Sequence, residues 1–170
     1  TIATAETAAE NPGDFGTLNP EELTLDRVMK DVAEGHTSMT LCATGYFITK
    51  SGRHEMAREL FKQCADAGYT GAMTWMSQLD NNGLGAPENP DAAAEWDRRA
   101  AEAGDPVGKL NHGIDLMRGR GVARDETAGR RLVDEAAEAG ISDARRLRAA
   151  GYDLDEVTPD ADNWKYAPLF

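Results

Sequence analysis

The chain is short of aromatic residues, of cysteine and of positive charge. Aromatics make up 6% of its 170 residues, only two cysteines occur, and 18 Lys and Arg face 30 Asp and Glu. Few rings and frequent alanine argue against a β-sandwich, whose strands want Val, Ile, Thr and aromatics, and favour closely packed helices. A formal net charge of −12 excludes nucleic acid as an expected partner, because phosphate binding needs a basic surface. It favours solubility and basic partners, and says nothing about fold. No stretch approaches the roughly 18–20 apolar residues of a membrane helix, so no transmembrane segment is expected. Histidine is scarce as well: His36, His54 and His112 are all there are. None pairs with another at metal-ligand spacing, and no Cys-x-x-Cys or His-x-x-x-His occurs. No metal site, no cofactor and no catalytic residue is expected, since no local motif sets a nucleophile or carboxylate beside a histidine.

What remains is an ordinary soluble composition, 41% apolar and 28% charged, of a length that suits one domain. Its dominant feature is internal repetition. Residues 62–68 read KQCADAG, residues 98–104 RRAAEAG and residues 133–140 VDEAAEAG, so that Gly68, Gly104 and Gly140 fall 36 residues apart. A period between about 20 and 50 residues marks a stacked architecture. The expected fold is all-α: a superhelical α/α solenoid of antiparallel helix hairpins with atypical caps.

The boundaries follow from capping and turn chemistry. Residues 1–18 form an N-terminal arm, small, polar and aperiodic. The sequence starts at Thr1, and this arm reads either as the tether after a removed leader or as an expression boundary. A cap helix is expected over 19–35, with Asn19 as cap, Pro20 in the first turn, Glu22 in the capping box and a stripe of Leu25, Val28, Met29 and Val32. Repeats follow at 36–68, 69–104 and 105–140, then a lone cap helix at 141–151 and a tail at 152–170, acidic at first and then aromatic. Asn89 with Pro90, Asp105 with Pro106, and Asp125 open helices. Shifted by 36, Ala57, Ala93 and Gly129 coincide, as do Leu60, Trp96 and Leu132, then Cys64, Ala100 and Ala136. The small residues let the partner helix approach closely, and the Leu/Trp/Leu position is expected to fill the space between hairpins.

These residues resemble the Sel-one-like repeat family, a relative of the tetratricopeptide repeats. The match rests on Gly119, Gly121, Val122, Asp125, Ala136, Ala137, Glu138 and Gly140 in the third repeat. In the second it rests on Gly83, Gly85, Ala93, Trp96, Ala100, Ala101, Glu102 and Gly104, and in the first on Ala57, Ala65 and Gly68 alone. It covers about residues 36–151. Where the family has tyrosine on helix A, the second repeat has Asp80, which implies an altered inner surface there. The resemblance implies a non-enzymatic scaffold or adaptor that binds a protein or peptide; bacterial members are often exported and act in cell-envelope assemblies. A periplasmic or exported location is the expectation, with the cytoplasm as alternative. Cys42 and Cys64 sit on the two helices of one hairpin, and exported relatives carry a similar helix-to-helix disulfide. The alternative is a pair of buried thiols.

The groove residues expected on the inner helices are Thr40, Thr44, Trp75, Gln78, Lys109, Asn111 and Asp115. Trp75 is off the repeat pattern and expected exposed on the concave face; Trp96 is expected to pack. Arg118 and Arg120 are candidate cationic contacts, against the plainer reading of solvated, paired helix faces. Trp164, Tyr166, Leu169 and Phe170 either seal the last helix or dock to a partner. A purely structural subunit and a regulator of an enzyme are the competing functions.

Overall fold

The computed structural model describes residues 24–157. Among them the protein forms helices and no strand: α1 (Leu25–Ala33), α2 (Met39–Lys50), α3 (His54–Asp66), α4 (Thr70–Asn81), α5 (Pro90–Glu102), α6 (Pro106–Arg118), α7 (Glu126–Glu138) and α8 (Ser142–Ala149), then a 3-10 turn at Leu154–Glu156. From α2 onward each helix packs on the next, and α1 lies against α3. Three hairpins, α2–α3, α4–α5 and α6–α7, stack as a helical solenoid. Caps start most of the helices: side-chain oxygens of Thr24, Ser38, Asn89, Asp105 and Asp125 accept the backbone N–H three residues on. Helix α1 begins at Leu25 behind Thr24, an extended residue at φ −69° and ψ 143°; the expected cap residues Asn19, Pro20 and Glu22 lie outside the described residues.

The second helix of every hairpin ends in the same way. Gly68, Gly104 and Gly140 take φ of +98°, +89° and +101°. Each glycine N–H reaches the carbonyl three residues back (Ala65, Ala101, Ala137), and the following N–H reaches the carbonyl five back (Cys64, Ala100, Ala136), all at 3.0–3.1 Å. This paired pattern satisfies the last orphan carbonyls while turning the backbone into the next hairpin. It explains why the repeat signature is written most clearly at the helix ends.

The joints between hairpins are made by backbone. A Cβ on Gly121 would lie 2.2 Å from the Pro90 carbonyl oxygen, and one on Gly85 would lie 2.7 Å from the His54 carbonyl carbon. Gly85 to Gly121 and His54 to Pro90 are both steps of 36 residues, so one contact recurs. In each case the turn of one hairpin presses on the start of the second helix of the hairpin before. Within the third hairpin Gly113 and Gly129 face each other equally closely, each one's Cβ position lying 2.8 or 2.6 Å from the other's carbonyl oxygen.

The buried apolar side chains form two clusters. One runs from Val28 through the first hairpin to Leu79 and Ala100; the other runs from Leu110 to Leu147 and Val157. Buried polar side chains, Ser77, Asn81, Asp97 and Asp115, lie on α4, α5 and α6 where the clusters meet. The position that fills the hairpin core is Phe61, Asp97 and Val133, each fully buried. Its neighbour differs from expectation: Leu60 is fully buried, but Trp96 is only half-buried and Leu132 is no part of the buried core. Trp96 still packs against the first cluster, as expected, and lies under the Arg99 guanidinium, 4.5 Å from its ring centroid. At the C-terminal end Tyr152, Leu154 and Val157 pack on the second cluster, and the Tyr152 hydroxyl donates to Asp134 at 2.6 Å.

Gly121→Ala combines a positive φ with a backbone collision, so it is expected to cost about 2–4 kcal/mol, whereas Gly140→Ala, at positive φ in open space, is expected to cost about 1–2 kcal/mol. Urea unfolding of both variants checks the order.

Candidate functional site

The first helices of the three hairpins, α2, α4 and α6, line a cleft of about 220 Å3. Met39 and Cys42 come from α2; Thr70, Gly71, Thr74, Trp75 and Gln78 come from α4, with Tyr69 just before it; Asp105, Pro106 and Val107 come from the start of α6. Helical spacing puts Thr70, Gly71, Thr74, Trp75 and Gln78 on one face of α4. The lining is mainly apolar. Its one carboxylate, Asp105, is already engaged: Oδ2 accepts from the Thr70 hydroxyl at 2.8 Å and Oδ1 from the Gly108 N–H at 2.9 Å. Gln78 is 7% exposed, and its Oε1 is buried without a hydrogen-bond donor. A buried unpaired acceptor costs about 1–3 kcal/mol, so this oxygen is unusual in a finished core.

One wall of the cleft is covalently fixed. Cys42 and Cys64 form a disulfide with Cα atoms 5.9 Å apart, linking α2 to α3 across 22 residues. Closing a loop of this length contributes about 3 kcal/mol by chain entropy. The bond suits an oxidising compartment. Among the described residues no helix is long and apolar enough to cross a membrane. In the second hairpin the same two positions hold Gln78 and Ala100, so the polar acceptor stands where the first hairpin has sulfur.

Helix α2 carries the two exposed large apolar side chains found among the described residues, Met39 at the cleft and Phe47 outside it, each 64% exposed. Eight residues apart, they share a face of α2. Phe47 also borders a second groove, of about 450 Å3, between α1 and α2 with Leu25, Val28 and Ile48.

The structure sorts the residues expected in the groove. Gln78 lines the cleft. Trp75 lines it too, but as a buried wall rather than an exposed platform: it is 2% exposed and stacks on Phe61 with ring planes 3° apart, so its expected exposure is corrected. Thr40 is exposed outside the cleft, and the Thr44 hydroxyl bonds back to the Leu41 carbonyl. Lys109 pairs with Glu135 on α7 at 2.9 Å, and Asn111 donates to the buried Asp97 at 3.1 Å. Asp115 is 3% exposed and belongs to the core. Of the two arginines, Arg120 pairs with Glu88 of the preceding turn at 3.1 Å, which ties successive hairpins together, while Arg118 makes no ion pair among the described residues. Trp164, Tyr166, Leu169 and Phe170 lie outside the described residues.

Asp80 does not open the inner surface. It is 3% exposed and accepts from Arg58 of α3 at 2.5 Å, and Arg58 also donates to the Leu84 carbonyl. The pair clamps one hairpin to the turn of the next. Nothing in the repeat pattern marks Arg58, because its partner arrives from another hairpin. Sequence spacing also missed a surface cluster of Asp31, Glu34 and His36, whose ligand-type atoms lie within 4.8 Å of one another. His54 bonds the Thr49 hydroxyl at 2.7 Å across the short first turn.

No family model and no curated protein sequence matches the protein. Solved structures do. A Sel1 repeat protein from Oxalobacter formigenes superposes with a TM-score of 0.65 at 17% identity, over 84% of this chain and 59% of that one. The chain has the Sel1 repeat fold. A protective antigen of uropathogenic Escherichia coli strains, displaying an SLR fold, gives a TM-score of 0.64 at 24% identity, over 82% of this chain and 32% of that one. The cysteine-rich protein B of Helicobacter pylori gives 0.57 at 15%, over 72% of this chain and 96% of that one. At these identities the likeness concerns the fold, and the chain spans less than two thirds of the first two proteins.

The buried polar side chains are open to two measurements. Arg58→Ala strands Asp80 in the interior and is expected to cost about 3–5 kcal/mol, most of it recovered when Asp80→Leu is added; chemical denaturation of the single and double variants measures this. Burial, with Arg98 nearby, holds the pKa of His112 below the ordinary 6.5. The unfolded protein therefore binds the proton more readily, so the stability this neutral ring contributes is present above pH 6.5 and is lost as pH falls toward its folded pKa. His112→Gln is expected to flatten the stability profile in that window, as read by urea midpoints at a series of pH values.

Proposed function

We propose that the protein is a non-enzymatic scaffold or adaptor that docks a protein or peptide partner on the face built by α2, α4 and α6. The observation that carries this reading is the coincidence, on one side of the stack, of an apolar cleft with a buried unpaired acceptor and the exposed Met39 beside it. Large exposed apolar side chains next to a concave, largely apolar site are the usual marks of a docking surface. The stacked architecture supports it, since solenoids present extended concave surfaces of this kind. Of the expected groove residues Gln78 and Trp75 line the cleft; Thr40, Thr44, Lys109, Asn111 and Asp115, on the neighbouring inner helices α2 and α6, are candidates for a supporting role. Arg118 is a candidate second contact for an acidic group, and the tail residues Trp164, Tyr166 and Phe170 are a candidate docking segment.

The division into an arm at 1–18, a stack at 19–151 and a tail at 152–170 is part of the same reading. The disulfide favours an exported or periplasmic site of action, within a cell-envelope complex.

Affinity capture from native membrane and soluble extracts, with the disulfide intact, tests the proposal. Met39→Asp and Thr74→Arg, both at the cleft, are expected to lose at least about tenfold of a specifically retained partner, with unchanged circular dichroism. Retention unaffected by both variants but abolished by removing residues 159–170 would assign binding to the tail and overturn the cleft as the docking face.

A further inference from the structure

Resting on that docking reading, the chemistry of the cleft narrows what enters it. Its volume, about 220 Å3, lies below the roughly 300 Å3 at which cofactor and drug-sized sites begin, so it suits one side chain rather than a whole small molecule. No Lys, Arg or His lines it, and its one carboxylate is that of Asp105. Lys109, the cation expected in the groove, is engaged by Glu135 of α7. A carboxylate would therefore enter a site with no counter-charge and one like charge, at the cost of its hydration. What the cleft does offer is apolar wall from Met39, Trp75 and Val107 and one hungry acceptor, Gln78 Oε1.

We propose that the cleft selects an apolar side chain, aromatic or aliphatic, from an internal segment of the partner, whose neighbouring amide N–H donates to Gln78 Oε1, and that it rejects a terminal carboxylate. Apolar fit supplies the affinity and the amide donor supplies the orientation. Charge decides against the opposite polarity of docking, in which a peptide's terminal carboxylate is gripped by cations.

Three small probes separate these contributions. Phenylacetamide has a ring and an N–H donor; N,N-dimethylphenylacetamide keeps the ring and carbonyl but has no donor; phenylacetate is the anionic counterpart. Titrations of the disulfide-bonded, full-length protein would be followed by amide chemical shifts at Thr74, Gln78 and Val107 and by Trp75 fluorescence. Phenylacetamide is expected to saturate on the order of the millimolar range, as befits a fragment of this size. The dimethyl analogue is expected to bind about five- to tenfold more weakly, the value of one hydrogen bond to a buried acceptor. Phenylacetate is expected to leave these signals unmoved. Gln78→Leu should fold, because the positions 36 residues before and after hold buried Cys42 and Ile114, and it is expected to level the two amides. Equal binding of the two amides to the native protein, binding of phenylacetate as tight as that of phenylacetamide, or no shift with any probe would overturn the proposal. These titrations involve no macromolecular partner. Loss of capture from extracts with the probe order intact would count against the docking role alone, and the reverse result against the cleft's chemistry alone.

Discussion

Backbone touching backbone at the joints is the contact on which this stack depends. At Gly85 and Gly121 a turn lies so close to the start of an earlier helix that no side chain fits between them. A joint of that kind has no soft side chains to absorb error. It fixes the offset between hairpins, and the recurrence of the same joint 36 residues later propagates that offset. The direction of α4 relative to α2 and α6 follows, and with it the cleft. The first hairpin has no such turn; its Gly52 faces open space. The disulfide is placed there, so a covalent tie holds the helix pair where the sequence pattern is weakest.

The second hairpin has the most polar interior. Ser77, Gln78, Asp80, Asn81 and Asp97 are all buried on α4 and α5. Asp97 occupies the position of Phe61 and Val133, and is held by the Ser77 hydroxyl at 2.5 Å and by Asn111 from the next hairpin at 3.1 Å. Asp80 is held by Arg58 from the hairpin before. Both carboxylates thus find a partner across a hairpin boundary, which makes the order of stacking specific in a way that alanine and leucine contacts are not. Gln78 Oε1 has no such donor, and its side chain belongs to the cleft lining. That contrast is why the cleft reads as a place for a ligand rather than as a packing fault.

The period, the helical class and the closing glycines are legible in the sequence because they rest on local rules. A glycine at positive φ, a capping carboxylate such as Asp105 or Asp125 and the small face around Ala57, Ala93 and Gly129 all act within a few residues of themselves. Reading exposure fails at Trp75. A place off the repeat pattern suggests freedom from the core, but Phe61 from the neighbouring hairpin covers the ring. Asp80 fails for the same reason: a charge at an apolar position signals exposure only while its partner is unknown.

The sequence by itself therefore determined the repeat length, the succession of helices and the way each hairpin ends, because those are short-range properties of backbone and side chain. Tertiary structure alone decided which polar groups are paired and which are not, that Trp75 is wall and Met39 is surface, and where three helices leave a gap. These outcomes depend on atoms brought together from different hairpins, at distances set by the glycine joints, and no single stretch of sequence holds both halves of such a contact.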